Sequence, residues 1–138
     1  MKTVLCNGVF DLLHVAHVRH LRQAAQWGDR LIVAVTDDAN ANKGDGRPII
    51  PLAERIEMIK ALPFVSDAVV CRDSLEALKR WKPDVFCKGH DYVKKGLLDA
   101  EIEYCKVHGI RIAITDENPQ TTSGIIERIR QCGLSITK

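Results

Sequence analysis

Apolar residues along the chain follow two alternating periods, and this alternation predicts the elements of the fold. Short, near-continuous apolar runs are typical of strands buried on both faces, whereas apolar residues three or four positions apart are typical of amphipathic helices. The predicted strands are a first run ending at Asn7-Gly8, then Arg30–Thr36, Asp67–Cys71, Pro83–Cys87 and Ile110–Thr115. The predicted helices are Val15–Trp27, Pro51–Leu62, Ser74–Trp81, Leu97–His108 and a last helix from Thr122 or Ser123 to about Cys132.

The order of these elements predicts an α/β fold. Strands that alternate with helices form βαβ units, in which the strands are parallel and the helices cover both faces of the sheet. We therefore expect a Rossmann-like, doubly wound, parallel five-stranded sheet, in one domain over residues 1–138. Local signals refine the boundaries: Gly28 is expected to end the first helix and Ser74 to cap the third.

Composition narrows the class of partner. Hydrophobic residues make up 46% of the chain and charged residues 28%, and the formal net charge is only +2. This balance favours neither nucleic acid nor an anionic membrane as a partner. The sequence has no apolar run of about 18 residues, and Met1-Lys2 leads straight into the first predicted strand, so we expect no signal peptide and a cytoplasmic location.

The five cysteines are widely spaced and show no C-x-x-C arrangement. Cys6, Cys71 and Cys87 fall in predicted strands, where a small buried thiol is common. We expect all five cysteines to be free thiols with a structural role rather than zinc ligands or redox groups.

The junction between the first strand and the first helix is the strongest candidate for a functional site. Gly8 and Phe10-Asp11 follow the strand, and His14 and His17 stand three residues apart where the helix begins. The carboxyl end of a strand facing a helix N-terminus collects anions, and two imidazoles on one helical turn can reach a single charged group. The alternative is that each histidine is only a cap or a satisfied surface residue.

These residues also carry a resemblance to a known family. The stretch from Gly8 to His17 resembles the G-x-F-D-x-x-H-x-G-H signature of the cytidylyltransferase-like nucleotidyltransferases, with one departure. Ala16 stands where the family has glycine between the histidines, which adds a methyl group where backbone can approach a nucleotide. The resemblance implies a nucleotide-binding α/β fold and transfer of a nucleotidyl group from a nucleoside triphosphate to a phosphorylated small molecule, with release of pyrophosphate.

A loop after the second strand carries two cations, Lys43 and Arg47. A lysine on such a loop can close over a bound triphosphate, although a solvated charged loop is the plain alternative. Arg55 lies on the following helix between Glu54 and Glu57 and could simply form a surface ion pair. By the family resemblance, Arg55 is instead the arginine that reaches the nucleotide phosphates.

The exit of the fourth strand reads Lys88-Gly89-His90-Asp91-Tyr92. Gly89 would allow a turn that a side chain would block, while Lys88 and Asp91 could contact phosphate, sugar hydroxyls or base. Taken alone this is an ordinary strand exit. It resembles the K-G-x-D-Y turn of a family branch that acts on sugar phosphates.

Hydroxyl groups cluster at the start of the last helix, in Thr121-Thr122-Ser123. They would cap any helix, and together with free N–H groups they would also form an anion cradle. The segment resembles the S-T-T-x-I-I motif of the family with the order of Ser and Thr changed. The arginine that some members carry just before this motif is absent.

The predicted site therefore comprises three catalytic and ten nucleotide-binding residues. The catalytic set is His14, His17 and Lys43; the nucleotide-binding set is Gly8, Phe10, Asp11, Arg55, Lys88, Gly89, Asp91, Thr121, Thr122 and Ser123. We expect Mg²⁺ to accompany the triphosphate rather than to occupy an all-protein cage, because no dense carboxylate cluster is visible.

The substrates remain open at this stage. The motifs look most like the branch that adenylylates heptose 1-phosphate for surface-polysaccharide precursors, and the glycerol-3-phosphate cytidylyltransferase branch shares the opening motif, so ATP and CTP both stay candidates. A nucleotide-binding module without turnover is the alternative from another class, for which Ala16 is the motivating feature. A homodimer is expected by family analogy only.

Overall fold

The computed structural model describes residues 1–41, 44, 46–91, 98–116 and 118–136. Strands and helices alternate along the chain, as the apolar periods predict. The strands are β1 (Thr3–Gly8), β2 (Arg30–Thr36), β3 (Asp67–Cys71), β4 (Val85–Lys88) and β5 (Arg111–Ile114). The helices are α1 (Val15–Ala25), α2 (Leu52–Lys60), α3 (Ser74–Trp81), α4 (Asp99–Val107) and α5 (Thr122–Ile136), with a short 3-10 helix at Asp38–Asn40.

The strands form one parallel sheet in the order β3-β2-β1-β4-β5. Val4 of β1 pairs with Leu31 of β2 on one side and with Val85 of β4 on the other. The chain therefore winds outward from β1 in one direction and, after β3, returns to wind outward from β4 in the other. This confirms the predicted Rossmann-like fold and places the topological switch point between β1 and β4, where ligands bind in open α/β sheets.

Successive strand residues point to opposite faces of the sheet, and both faces are buried. Val4 and Cys6 of β1 pack in the core that α1 and α2 cover. Leu5 of β1 and Phe86 of β4 pack in a second core, covered by α3 and α4. Because the inner strands β1, β2 and β4 are buried on both sides, their sequences are nearly continuous apolar runs rather than alternating ones.

Two predicted cap residues have different roles from those expected. Asp73, not Ser74, caps α3, because its carboxylate accepts a hydrogen bond from the Glu76 N–H at 2.9 Å. Gly28 does not end α1 in the left-handed conformation; a Cβ at this position would lie 2.7 Å from the Lys2 carbonyl oxygen, so glycine is needed there for close chain approach. Gly109, in contrast, has φ = +67° and follows α4 as a helix-ending glycine should.

The predicted bounds of Arg30–Thr36, Asp67–Cys71 and Ser74–Trp81 are those observed, and most other boundaries differ by one or two residues, as helix and strand ends generally do. The predicted strand Pro83–Cys87 is observed as Val85–Lys88, and the last helix continues beyond Cys132 to Ile136. All five cysteines are free thiols, as predicted, and four of them are buried. None of the helices within the described part of the chain is long and apolar enough to cross a membrane.

Candidate active site

The two histidines of the first crossover stack on each other at the start of α1. His14 and His17 have ring centroids 3.8 Å apart and ring planes inclined by 28°. The Nδ1 atom of His14 accepts a hydrogen bond from the Ala16 N–H at 3.2 Å, and the Nδ1 atom of His17 accepts one from the His14 N–H at 3.2 Å. The imidazoles thus form a reciprocal capping box in place of the usual Ser and Glu.

This capping arrangement fixes the tautomer of each neutral imidazole. Since Nδ1 accepts a backbone N–H in both His14 and His17, the ring proton of each must be on Nε2. Burial lowers the pKa of His14, which favours the neutral ring. The capping alternative and the functional prediction are therefore compatible, because the same contacts that cap α1 turn two ring nitrogens into Nε2–H donors.

Phe10 supports the histidine pair from one side. Its ring packs edge-on against His17, with centroids 5.4 Å apart and ring planes inclined by 71°. A Cβ on Gly8 would lie 2.9 Å from the Phe10 ring. Gly8 is therefore required at this place so that the Phe10 ring can lie over the end of β1.

The backbone of this loop is held in an uncommon conformation. Phe10 has φ = 54° and Leu12 has φ = 50°, in the left-handed region that non-glycine residues rarely adopt. Each such residue costs on the order of 1 kcal/mol or more, so surrounding contacts must hold it. Strained backbone of this kind concentrates at functional sites, in agreement with the position of this loop at the switch point.

Arg55 provides part of the required support. Its guanidinium donates to the carbonyl oxygens of Val9 at 2.7 Å, Thr36 at 2.8 Å and Ile50 at 2.9 Å, and pairs with Asp38 at 2.6 Å. The surface ion pair considered from the sequence is wrong, because the Arg55 side chain is only 1% exposed. In this structure Arg55 joins the ends of β1 and β2; its contact with phosphates stays a prediction.

Asp11 connects the loop between β1 and α1, residues 9–14 and called the histidine loop below, to the segment before α2. Its carboxylate accepts the backbone N–H groups of Ile49 and Ile50, each at 2.9 Å, and pairs with Arg47 Nε at 3.4 Å. Burial by itself would raise the pKa of Asp11, but these three donors outweigh burial and lower it. Asp11 thus stays ionised and fixes Arg47 and the following chain against the candidate site.

The start of α5 reaches the same loop, as the sequence predicts. The Thr122 hydroxyl donates to the Asp11 carbonyl oxygen at 2.9 Å. Thr121 acts as the cap, since its hydroxyl accepts the Gly124 N–H at 2.9 Å. Ser123 is exposed. The hydroxyl-rich helix start therefore lies beside the histidine loop rather than on another part of the sheet.

The predicted site residues at the exit of β4 differ from one another in their exposure to solvent. Asp91 is exposed, whereas the Lys88 side chain is 1% exposed and pairs with Glu101 of α4. The expectation that a side chain at Gly89 would block the turn is wrong, because the φ angle of Gly89 is not left-handed and a Cβ there would meet no described atom within 4 Å. Lys43, the third predicted catalytic residue, lies outside the described residues.

His20 is a site-proximal residue that the sequence reasoning missed. It follows His17 by three residues on α1, and its Nδ1 atom lies 2.7 Å from the Thr115 hydroxyl. Burial, together with the nearby Lys88 charge, lowers the pKa of His20 to about 4. The i, i+3, i+6 spacing of the three histidines was the available signal. It could not show that His20 is partly buried against the Thr115 hydroxyl.

An apolar groove borders the loop on another side, lined in part by Phe10, Leu13, Ile125 and Ile129. Its volume is about 380 Å³. Among the described residues, no group of three or more His, Cys, Asp or Glu side chains could hold a metal ion. The Asp11 carboxylate already accepts three protein donors, so most of its lone-pair sites are occupied.

Residues 5–128, which include the histidine pair and the start of α5, match the family model described as cytidylyltransferase-like. The chain belongs to the cytidylyltransferase-like family. Membership confirms the resemblance drawn from Gly8 to His17 and the prediction of a nucleotidyltransferase. The matched segment includes the stacked pair, His14 and His17, whose catalytic role stays a prediction.

Curated relatives of this cytidylyltransferase-like chain are considerably longer. The chain is 42% identical over 136 residues to the bifunctional protein HldE of Azotobacter vinelandii, covering 94% of this chain and 28% of that protein. The HldE protein of Nitratiruptor sp. is 37% identical over 135 residues, covering 95% of this chain and 28% of its own length. The chain thus spans little more than a quarter of these relatives.

Solved structures share the fold. The lipopolysaccharide core biosynthesis protein from Thermoplasma volcanium is 27% identical with a TM-score of 0.73, covering 86% of this chain and 98% of that chain. Pantoate-beta-alanine ligase from Francisella tularensis is 14% identical with a TM-score of 0.60, covering 94% of this chain and 69% of that chain. At this low identity, the second likeness shows only the shared Rossmann-like fold.

Proposed function

We propose that the chain transfers a nucleoside monophosphate from a nucleoside triphosphate, ATP or CTP, to the phosphate of a sugar or polyol and releases pyrophosphate. The observation that carries this proposal is the stacked pair of Nε2–H donors at the switch point, His14 and His17. Two Nε2–H donors at a helix N-terminus, next to a strained and well-supported loop, suit the non-bridging oxygens of a polyphosphate.

The proposed reaction is an in-line displacement at the α-phosphorus. An oxygen of the acceptor phosphate forms the new bond to phosphorus, while the bond from phosphorus to the β-phosphate bridging oxygen breaks and pyrophosphate leaves with that electron pair. The acceptor phosphate is already a nucleophile, so no protein base is needed. The protein must instead hold two anions together and stabilise charge on a five-coordinate phosphorus.

We assign the residues accordingly. His14 and His17 donate to α- and β-phosphate oxygens, and the Thr121-Thr122-Ser123 helix start holds the terminal phosphates. Gly8, Phe10 and Asp11 shape the loop that presents the imidazoles. Lys43 closes over the phosphates, and Mg²⁺ bound with the triphosphate would neutralise part of its charge.

A sugar phosphate is the preferred acceptor. The exit of β4 carries the K-G-x-D-Y sequence of the sugar-phosphate branch, and the structural relative from Thermoplasma volcanium is described as a lipopolysaccharide core biosynthesis protein. Heptose 1-phosphate with ATP is accordingly the first pair to try, for a polysaccharide precursor made in the cytoplasm by a homodimer. Glycerol 3-phosphate with CTP is the second.

The test is pyrophosphate release from panels of nucleoside triphosphates and sugar or polyol phosphates with Mg²⁺ present. Release with one pair, and a nucleotidylated product by mass spectrometry, would support the proposal. Nucleotide binding without release from any pair would favour the non-catalytic module. Ala16, the feature behind that alternative, occupies a helical position at which alanine is more favourable than glycine by about 1 kcal/mol, so it does not by itself argue against turnover.

A further inference from the structure

Behind the exit of β4 lies a buried ion pair that the proposed reaction does not use. The Lys88 Nζ atom is 3.7 Å from Glu101 Oε2, and the two side chains are 1% and 2% exposed. The Ser74 hydroxyl donates a hydrogen bond to the other Glu101 oxygen, Oε1. The Lys88 ammonium also lies 4.7 Å from the centroid of the Phe86 ring. The cation thus has protein partners on more than one side.

These residues join three separate elements. Lys88 ends β4, Glu101 lies in the first turn of α4, and Ser74 begins α3. The Lys88 carbonyl oxygen also accepts the Thr115 N–H at 3.0 Å, which extends the connection past the end of β5. Gly89 follows Lys88 directly, so the ion pair anchors the backbone at the point where the β4 exit begins.

Moving the ammonium to a substrate phosphate would leave the Glu101 carboxylate buried without its counter-ion. An uncompensated buried charge is far more costly than a buried pair, because the carboxylate loses its partner without regaining the hydration it had in water. A lysine in this environment is therefore better suited to holding the chain than to following a ligand.

We propose that Lys88 is a positioning residue, which through its ion pair with Glu101 holds Gly89, His90 and Asp91 at the switch point, and that it does not itself bind phosphate. This role rests on the proposed function and revises one of its predicted contacts. The substrate contacts at the β4 exit then come from residues after Lys88, of which Asp91 is exposed.

A double-mutant cycle tests this proposal. Lys88→Met keeps most of the side-chain length without the charge, and Glu101→Gln keeps an acceptor for Ser74. Either change alone leaves an unpaired buried charge, whereas the double variant removes both charges together. The control variants are Glu103→Gln and Lys106→Met, which make the same substitutions at exposed positions of α4.

Two measurements are made on each variant. The first is kcat and KM for the active substrate pair, for which we expect each single variant to lose about tenfold or more in kcat/KM and the double variant to return to within about threefold of wild type. The second needs no substrate and consists of the Tm of thermal unfolding and the hydrogen-exchange protection of the Gly89, His90 and Asp91 amides. We expect both Tm and protection to fall in the single variants and to be restored in the double variant. Single variants too unstable to purify, with a folded double variant, would show the same coupling.

Two outcomes would overturn the proposal. If the double variant regained stability and amide protection but remained as inactive as Lys88→Met, Lys88 would be a substrate ligand. If the effects of the two substitutions on Tm and on amide protection were simply additive, the ion pair would not position the backbone of the β4 exit. Should wild type release no pyrophosphate with any pair, the proposed reaction fails, while the unfolding and exchange cycle still decides whether the pair positions the β4 exit.

Discussion

The His14 ring stacks against the His17 ring, with the ring centroids 3.8 Å apart, and each ring accepts a backbone N–H through Nδ1. One set of contacts therefore performs two tasks. It satisfies N–H groups that an α-helix leaves unpaired at its start, and it fixes the side of each imidazole that can donate to an anion. A test of this site therefore requires a substitution that separates the capping contact through Nδ1 from the Nε2–H donor.

His17→Asn makes that separation. The side-chain oxygen of the introduced asparagine can occupy the Nδ1 position and accept the His14 N–H, but the variant has no equivalent of Nε2–H. We expect kcat to fall by about 10²- to 10³-fold, the usual effect of removing one preorganised donor, with little change in Tm. His108→Asn, at an exposed position, is the matched control. Activity within a few-fold of wild type in His17→Asn would remove His17 from the catalytic role.

His20 makes stability depend on pH. Its pKa is about 4 in the folded protein against 6.5 for an ordinary histidine. Well above pH 6.5, His20 is neutral in both the folded and the unfolded state, so its full contribution to stability is present. As pH falls from 6.5 towards 4, His20 is protonated in the unfolded chain but remains neutral in the native state. The free energy of unfolding therefore decreases by up to about 1.4 kcal/mol per pH unit.

Denaturant unfolding between pH 7 and 4 measures this slope. In His20→Asn, which can keep a hydrogen bond to the Thr115 hydroxyl, we expect a shallower decrease than in wild type. The exposed His108→Asn variant should retain the wild-type slope. Equal slopes in wild type and His20→Asn would show that His20 is not the residue responsible.

Arg55→Lys tests whether the buried guanidinium acts through the protein or through the nucleotide. Lysine can neither span the Val9, Thr36 and Ile50 carbonyl groups nor match the planar fork of the guanidinium. We expect the free energy of unfolding to fall by about 2–4 kcal/mol, measured by urea denaturation. Unchanged stability with a raised KM for the triphosphate would instead favour the direct phosphate contact that the family resemblance implies.

Thr122 links the start of α5 to the histidine loop through the Asp11 carbonyl oxygen. Thr122→Val retains the shape but not the hydroxyl, and Thr122→Ser retains the hydroxyl. The valine variant should raise KM for the triphosphate by about fivefold to tenfold, the equivalent of one lost hydrogen bond, and the serine variant should remain close to wild type. Similar KM values in both variants would mean that the methyl group, not the hydroxyl, matters.

Local rules made one part of the site predictable in advance. Gly8, His14 and His17 could be placed because each is tied to such a rule: strand exit, helix start and i, i+3 spacing. Arg55 and Lys88 could not, because a charged residue in an amphipathic pattern looks the same whether it faces water or a set of buried acceptors. The acceptors of Arg55 come from three distant segments.

By itself the sequence determined the order of strands and helices, the parallel sheet and the position of the histidine loop, because apolar period and turn residues are local properties of the chain. Only the tertiary structure decided which charges are buried, that Asp11 joins Thr122 and the segment before α2, and that Lys88 pairs with Glu101. Burial and pairing arise between residues far apart in the chain, and their energies depend on partners that no local pattern records.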